Sequence, residues 1–286
     1  MKKSLSTLLL VLIFLFGTGL LLYPTVSDYW NSLHQSRAIA GYVQSLAQVD
    51  AAKCRALLRE AEAYNEALAE TGPRFFLSEE EEREYYQMLD IDGSGILGYI
   101  EIGSIGCNLP IYHGVDDSVL QVAVGHIAGT SLPVGGKSTH CVISGHRGLP
   151  SAKIFSDLDR LTEGDTFVIR TLNEIFTYEV DRISIVLPED VSGLAIKPGE
   201  DLFTLVTCTP YGVNSHRLLV RGHRVANRAS SIRINAEAIV WDRALAAPLF
   251  AMPLVVIGLG WMLISTNCKA RRNAVRRKLG IKKQPF

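Results

Sequence analysis

Two residue types that can share acyl-transfer chemistry stand nine positions apart late in the sequence, Cys208 and Arg217. A thiolate is a strong nucleophile, but an ordinary cysteine, with a pKa near ~8.5, is mostly protonated at neutral pH and needs a cationic neighbourhood. Arginine supplies a permanent positive charge and a fork of donors suited to an oxyanion. The stretch Leu202–Arg224 reads LFTLVTCTPYGVNSHRLLVRGHR. An apolar run, Leu202–Val206, leads to Cys208. A turn-rich segment with Pro210, Gly212 and Asn214 follows, and then a second apolar run, Leu218–Val220, entered through Arg217. If the two runs pair as strands, cysteine and arginine meet. A proton carrier would complete such a site, and imidazole titrates near neutrality. Setting His34 aside, six histidines remain. His146, in SGHRGLP, follows a candidate strand directly and is flanked by Gly145 and Gly148; His140 lies inside that strand and His223 follows the second apolar run. Spacing alone leaves His146 and His140 both open. A zinc site from His140, Cys141 and His146 matches no standard ligand spacing.

The elements that must position these residues are short. Candidate strands are Leu97–Gly103, Leu109–Tyr112, His140–Ser144, Thr166–Thr171, Ile175–Val186, Phe203–Cys208 and Leu218–Gly222. Turn signals separate them, as at Leu132-Pro-Val-Gly-Gly136, which predicts an all-β sandwich or barrel with few helices. Ser151–Leu161, with Ile154, Phe155, Leu158 and Leu161 at helical spacing, predicts one short helix. Upstream, Ser27–Glu70 is free of proline and places Tyr42, Leu46, Val49, Leu57, Ala61, Tyr64 and Leu68 mostly at three- and four-residue steps. That pattern predicts one or two amphipathic helices, stopped by Gly72-Pro73. Ser78 followed by Glu79–Glu82 predicts a further short helix start. Asp90, Asp92, Ser94, Gly95 and Glu101 fit calcium-loop positions, but Gly98–Ile102 alternates as a strand where a helix should follow, so a turn into the first strand is expected instead.

Composition sets the compartment. Leu5–Tyr23 and Ala244–Thr266 carry no charge, and each approaches the ~20 residues of a membrane-crossing helix. Lys2 and Lys3 precede the first, and eight basic residues with no acidic one follow the second. By the positive-inside rule both termini face the cytoplasm and the intervening region lies outside. The first apolar stretch is longer than a signal-peptide core and has no small-x-small cleavage site after it, so an uncleaved anchor is expected. The chain carries 29 basic and 29 acidic residues, yet setting aside the two N-terminal lysines and the eight basic residues of the tail leaves 19 basic against 29 acidic. That surplus of acids excludes a nucleic-acid partner. The five cysteines, at 54, 107, 141, 208 and 268, include no C-x-x-C pair. A disulfide among Cys54, Cys107 and Cys141 is left open by their spacing.

THCVISGHRGLP, TLVTCTPYGVNSHRLLVRGHR and GYIEI, with GTSLPVGGKSTH between them, resemble the sortases, and closely the class C, pilin-polymerising sortases of Gram-positive bacteria. The resemblance covers roughly Tyr99 to Arg224. It implies a closed sortase β-barrel with short helices, preceded by a helical segment and flanked by two transmembrane helices. It also selects His146 over His140, with Cys208 as nucleophile, His146 as general acid/base and Arg217 stabilising the oxyanion. The activity implied is cleavage of a Leu-Pro-x-Thr-Gly-like sorting signal and transfer to a lysine amine of a pilin subunit, without metal or organic cofactor. Alternatives are a housekeeping sortase attaching surface proteins to cell-wall peptide, or an inactive membrane-tethered scaffold. The organisation expected is a cytoplasmic N-terminus (1–4), a transmembrane anchor (5–23), an extracytoplasmic helical segment with a candidate lid (24–96), the catalytic barrel (97–226), a linker (227–243), a second transmembrane helix (244–266) and a basic cytoplasmic tail (267–286). Class C members commonly carry an Asp-Pro-aromatic lid. Here the corresponding stretch reads Thr71-Gly72-Pro73-Arg74-Phe75, without the aspartate and with the aromatic displaced by one. Either Phe75 or Phe76 plugs the site, or the groove is open.

Overall fold

The structure, a computed structural model, describes residues 2–227. These belong to two units, an N-terminal one ending at Thr25 and a compact one beginning at Val26. Helix α1 spans Lys2–Gln48 and contains Pro24. It is long and apolar enough to cross a membrane, and among the described residues it is the one helix that is. The second expected span, 244–266, and the basic tail lie outside the described residues.

Within the compact unit, α1 presents Asp28, Asn31, Gln35, Ile39, Tyr42 and Leu46 on one stripe at three- and four-residue steps, the spacing that keeps side chains on one helix face. The lower part is apolar: Ile39 and Tyr42 are buried in the main core, with Leu46 packed beside them. The Tyr42 hydroxyl accepts from Leu172 N at 2.8 Å. Helix α2 (Ala51–Thr71) buries Cys54, Ala61, Asn65 and Leu68. Buried Asn65 is satisfied at both ends of its amide by one residue, donating to Leu132 O and accepting from Leu132 N. Gly72 ends α2 in a conformation with φ 80°. Helix α3 (Glu79–Tyr85) begins with a complete capping box, Ser78 and Glu81 each satisfying the other's backbone N–H.

Eight strands close a barrel. They are β1 (Ile96–Ile102), β2 (Cys107–His113), β3 (Val124–His126), β4 (Thr139–Ser144), β5 (Thr166–Thr171), β6 (Glu174–Val186), β7 (Asp201–Thr209) and β8 (His216–Val225), in the order β1-β2-β3-β4-β7-β8-β6-β5. β2 pairs β3 in parallel and β4 pairs β7 in parallel; all other pairings are antiparallel. Seven strands fall where the pattern placed them. The three-residue β3 is too short to show an alternation.

Strand β7 is buried on both faces, which is why its sequence, LFTLVT, reads as a continuous run. Phe203 and Leu205 turn into the main core with Leu218 and Val220. Val206 turns to the other face, where it packs with Val142, Leu219 and Leu194. Leu194 belongs to a 3-10 turn (Ser192–Leu194) in the β6–β7 loop, which therefore covers that outer face.

Four expectations are corrected or resolved. Ser151–Leu161 does not form one helix but a series of turns ending in a 3-10 helix, Leu158–Arg160. The backbone groups a helix would use are taken by tertiary partners: Ser151 O accepts from Asn31, Lys153 N donates to Asp28, and Phe155 N donates to His146 O. The Asp90–Gly95 stretch is a turn in which Asp90 and Asp92 accept from the backbone N–H groups that follow them. Glu101 pairs with Arg170 instead of facing that turn. The 72–77 stretch docks on the β3–β4 connection, with Arg74 N donating to Gly129 O at 2.9 Å. Phe76 is 96% exposed and so plugs nothing, and Phe75 is also exposed. Cys54, Cys107, Cys141 and Cys208 are all free.

Candidate active site

Strand pairing alone assembles the three residues. In the antiparallel β7–β8 ladder Cys208 stands directly opposite Arg217, so both side chains share one face. That face is the outer one, since Val206 and Leu219, each two residues away along its strand, lie there. Strand β4 runs parallel to β7 with Ser144 beside Val206. The pairing continues past the end of β4: Gly145 N donates to Val206 O at 3.0 Å, and the Thr207 hydroxyl donates to Gly145 O at 2.7 Å. His146 therefore leaves the sheet level with Cys208. All three residues are half-buried, neither sealed in the core nor free in solvent.

The local sequence makes this arrangement rigid. A Cβ on Gly145 would lie within 3.0 Å of Phe155, Val124 and Ile154, so only glycine fits between the strand and the returning loop. His146 O accepts from Phe155 N at 3.1 Å, closing that loop. Arg147 extends to the far side, pairing with Asp159 and donating to the Thr209 hydroxyl at 3.3 Å. Four and six residues further on, the loop is held from helix α1. Lys153 N donates to Asp28 Oδ1 at 2.7 Å, and Asn31 Nδ2 donates to Ser151 O at 2.7 Å. The Arg217 guanidinium is steadied by the turn before it, donating to Asn214 O and His216 O.

The other candidate side chains are occupied. His140 is fully buried, with Nδ1 against Ala195 O at 2.9 Å and Nε2 against the Thr204 hydroxyl at 2.7 Å. Burial lowers its pKa, which keeps it neutral. It pins the β6–β7 loop to the sheet and is not free to shuttle protons. His126 is likewise buried between the Tyr85 hydroxyl and Ser131 O, and burial pushes its pKa down to about 4. His113 sits between the carbonyls of Gly95 and Met88, its pKa also lowered by burial. Among the cysteines, burial pushes the Cys107 thiol up to about 12 and Cys141 well above its ordinary value, so neither yields a thiolate at neutral pH. Cys54 lies on the buried face of α2. Among the described residues no group of three or more His, Cys, Asp or Glu side chains is placed to hold a metal.

Several residues at the site were not singled out from the sequence. Arg147 and Asp159 carry no motif of their own. Asp28 and Asn31 do carry a signal, because they continue the apolar stripe of α1 upward at the same spacing, where an exposed helix would not need to keep register.

Known proteins match this chain over the barrel. The profile of the sortase domain matches residues 100–225. Sortase A of Streptococcus agalactiae serotype III (strain NEM316) is 32% identical over 117 residues, covering 40% of this chain and 47% of the relative. The chain thus spans about half the length of that curated relative. The crystal structure of sortase C1 from Streptococcus agalactiae is 48% identical, covers 67% of this chain and 100% of its own, and superposes with a TM-score of 0.66. The sortase C of Streptococcus pneumoniae is 41% identical over 67% of this chain and 97% of its own, with a TM-score of 0.60.

Proposed function

This chain belongs to the sortase family, in its class C branch, and from that premise we propose that it is a membrane-anchored cysteine transpeptidase in which Cys208, His146 and Arg217 carry the reaction. The observation that supports this most is the register: Cys208 faces Arg217 across the β7–β8 ladder while His146 leaves β4 at the same level.

The chemistry follows from the side chains. The Cys208 thiolate attacks the threonine carbonyl carbon of a Leu-Pro-x-Thr-Gly-like sorting signal, and the carbonyl π electrons move onto oxygen. Arg217 donates hydrogen bonds to that oxyanion. Protonated His146 gives its proton to the glycine nitrogen, the C–N bond breaks, and a thioester to Cys208 remains. An incoming amine then attacks the same carbon, His146 takes its proton, and the thiolate leaves. With a pilin lysine as the amine, the product is an isopeptide-linked subunit. The sortase C of Streptococcus pneumoniae has been described in terms of pilin substrate specificity, and transfer to pilin lysine is assigned here by likeness to it.

The apolar helix α1 serves as the anchor in this reading, its side chains Leu10, Phe16 and Leu21 exposed for lipid to cover. In the same reading the uncharged stretch 244–266, outside the described residues, is long enough for a second span, both termini lie in the cytoplasm, and the barrel faces outward.

The test uses the full chain in detergent with a Leu-Pro-Glu-Thr-Gly peptide, intact mass reporting the thioester. The wild type should gain the mass of the peptide lacking its glycine end, and Cys208→Ala should gain nothing. An adduct that persists in Cys208→Ala refutes the assignment of the nucleophile. Transfer of the peptide to a peptidoglycan-like amine, with none to a lysine side chain, would place the chain with the enzymes that attach proteins to the cell wall.

A further inference from the structure

The segment that carries His146 leaves the sheet where its pairing ends. Gly145 N still donates to Val206 O at 3.0 Å, and Gly145 O accepts from the Thr207 hydroxyl at 2.7 Å. Beyond that point Arg147 carries the contact with β7 through its side chain. Its guanidinium divides its donors: Nη1 reaches the Thr209 hydroxyl at 3.3 Å, and Nη2 pairs with Asp159. The same group lies 5.9 Å from the centre of the Tyr211 ring, and a Cβ on Gly148 would meet that ring at 3.0 Å. Arg147 and Thr209 are the residues that follow His146 and Cys208. One side-chain bond thus joins the two reactive positions through their next neighbours.

We propose that Arg147 is a positioning residue for acyl transfer, a clamp that fixes the His146 backbone to the end of β7 and so holds the imidazole where it can protonate the departing amine. The inference rests on the reading of Cys208 as nucleophile and His146 as acid, and goes beyond it by assigning what sets one against the other.

Four observations carry it. First, among the described residues no side chain hydrogen-bonds the His146 ring, so the place of the ring follows that of its backbone. The rings of His113, His126 and His140, by contrast, are each tied at both nitrogens. Second, the clamp is itself anchored. The Arg147 side chain is only 9% exposed, and Asp159 belongs to the 3-10 helix whose Leu158 is buried in the main core. Third, the task suits arginine alone among the basic residues. Donors on one rigid plane span Asp159 and Thr209 together, which a single ammonium on a flexible stem does not. Last, the Arg147 Nε is buried and finds no protein partner. A buried unsatisfied donor costs stability, so the stability of the fold does not account for arginine at this position, whereas the reach of its other two nitrogens does.

In the step this serves, the Cys208 thiolate adds to the threonine carbonyl carbon. Protonated His146 gives its proton to the glycine nitrogen, and the C–N bond breaks to leave the thioester. A p-nitrophenyl ester of the same acyl chain yields the same thioester by C–O cleavage. Nitrophenolate departs with the bonding electrons and needs no proton, so the two donors together isolate the proton that the clamp is there to place.

The experiment compares Arg147→Ala, Arg147→Lys and Thr209→Val with wild type as full chains in detergent. The donors are the Leu-Pro-Glu-Thr-Gly peptide and a Leu-Pro-Glu-Thr p-nitrophenyl ester. Intact mass and nitrophenolate absorbance follow single-turnover thioester formation. With the peptide, the maximal rate should fall by about thirtyfold in Arg147→Ala, about tenfold in Arg147→Lys and about fivefold in Thr209→Val, while the half-saturating donor concentration stays within about twofold. With the ester all three should stay within about twofold of wild type, because no proton has to be delivered. The Arg147→Ala/Thr209→Val pair should be no slower than Arg147→Ala, since both substitutions break one link. Thr209→Val keeps the shape of its side chain and carries the comparison of donors by itself should Arg147→Ala fail to fold. Equal losses with peptide and ester overturn the proposal, as do unchanged rates with the peptide. Full additivity in the double variant overturns it too. A wild type that forms no thioester from the peptide instead defeats the underlying transpeptidase reading.

Discussion

The contact between helix α1 and the loop after His146 is the most informative to break. Two backbone groups of that loop, Ser151 O and Lys153 N, take their partners from α1, at 2.7 Å each, across 120 and 125 residues of sequence. Each such bond is worth ~1 kcal/mol net. If releasing the loop lets His146 drift from Cys208, Asp28→Ala should lower kcat by up to about fivefold, and the Asp28→Ala/Asn31→Ala pair by up to about thirtyfold. Asp28 and Asn31 bond the loop backbone at Lys153 and Ser151, so the expected effect is on kcat, with KM near its wild-type value. Two further substitutions separate positioning from simple loss of packing. Asp28→Asn keeps an oxygen that accepts from Lys153 N and should retain most activity. Asn31→Asp replaces the donor with a carboxylate facing the Ser151 carbonyl and should be worse than Asn31→Ala. Steady-state cleavage of a Leu-Pro-Glu-Thr-Gly peptide by the full chain in detergent measures all of these. The reasoning fails if the double variant keeps wild-type kcat, or if Asp28→Asn falls as far as Asp28→Ala.

Two other outcomes follow from packing and burial. His126 has a folded pKa of about 4 against an ordinary 6.5. Between those values the unfolded chain binds a proton that the folded chain does not, so this residue's contribution is present above pH 6.5 and is lost as pH falls toward 4, by ~1.4 kcal/mol per pH unit at most. Thermal melts from pH 7 to 4.5 should show a steeper loss for wild type than for His126→Gln, and parallel curves would refute the assignment. Gly129 has φ +79°, and a Cβ there would run into the Arg74 carbonyl. Gly129→Ala should therefore displace the 72–77 stretch, and limited trypsin digestion should cut after Arg74 several times faster, as expected for a segment that has lost its docking bond. Equal digestion rates would show that the stretch is held by other contacts.

Much of the barrel could be read from residue order because strands and turns leave local marks. Alternation, Gly/Pro turns and the apolar run into Cys208 are consequences of short-range sterics and burial. The helical stripe from Tyr42 to Leu68 and the Ser78 cap were readable for the same reason. The failures have one cause. Ser151–Leu161 has the spacing of a helix, but its backbone groups are claimed by Asp28, Asn31 and His146, partners that no local window contains. β3 exists only because β2 and β4 flank it with partners on both sides.

At the site, the sequence by itself determined the chemical types: a thiol and a guanidinium on consecutive strands, and an imidazole at the end of a third. It could not choose between His140 and His146 by spacing, because six residues of separation place both near the same strand. Tertiary structure places the two differently. The parallel pairing of β4 with β7 carries His146 to the level of Cys208, while the β6–β7 loop closes over His140 and ties up both of its nitrogens.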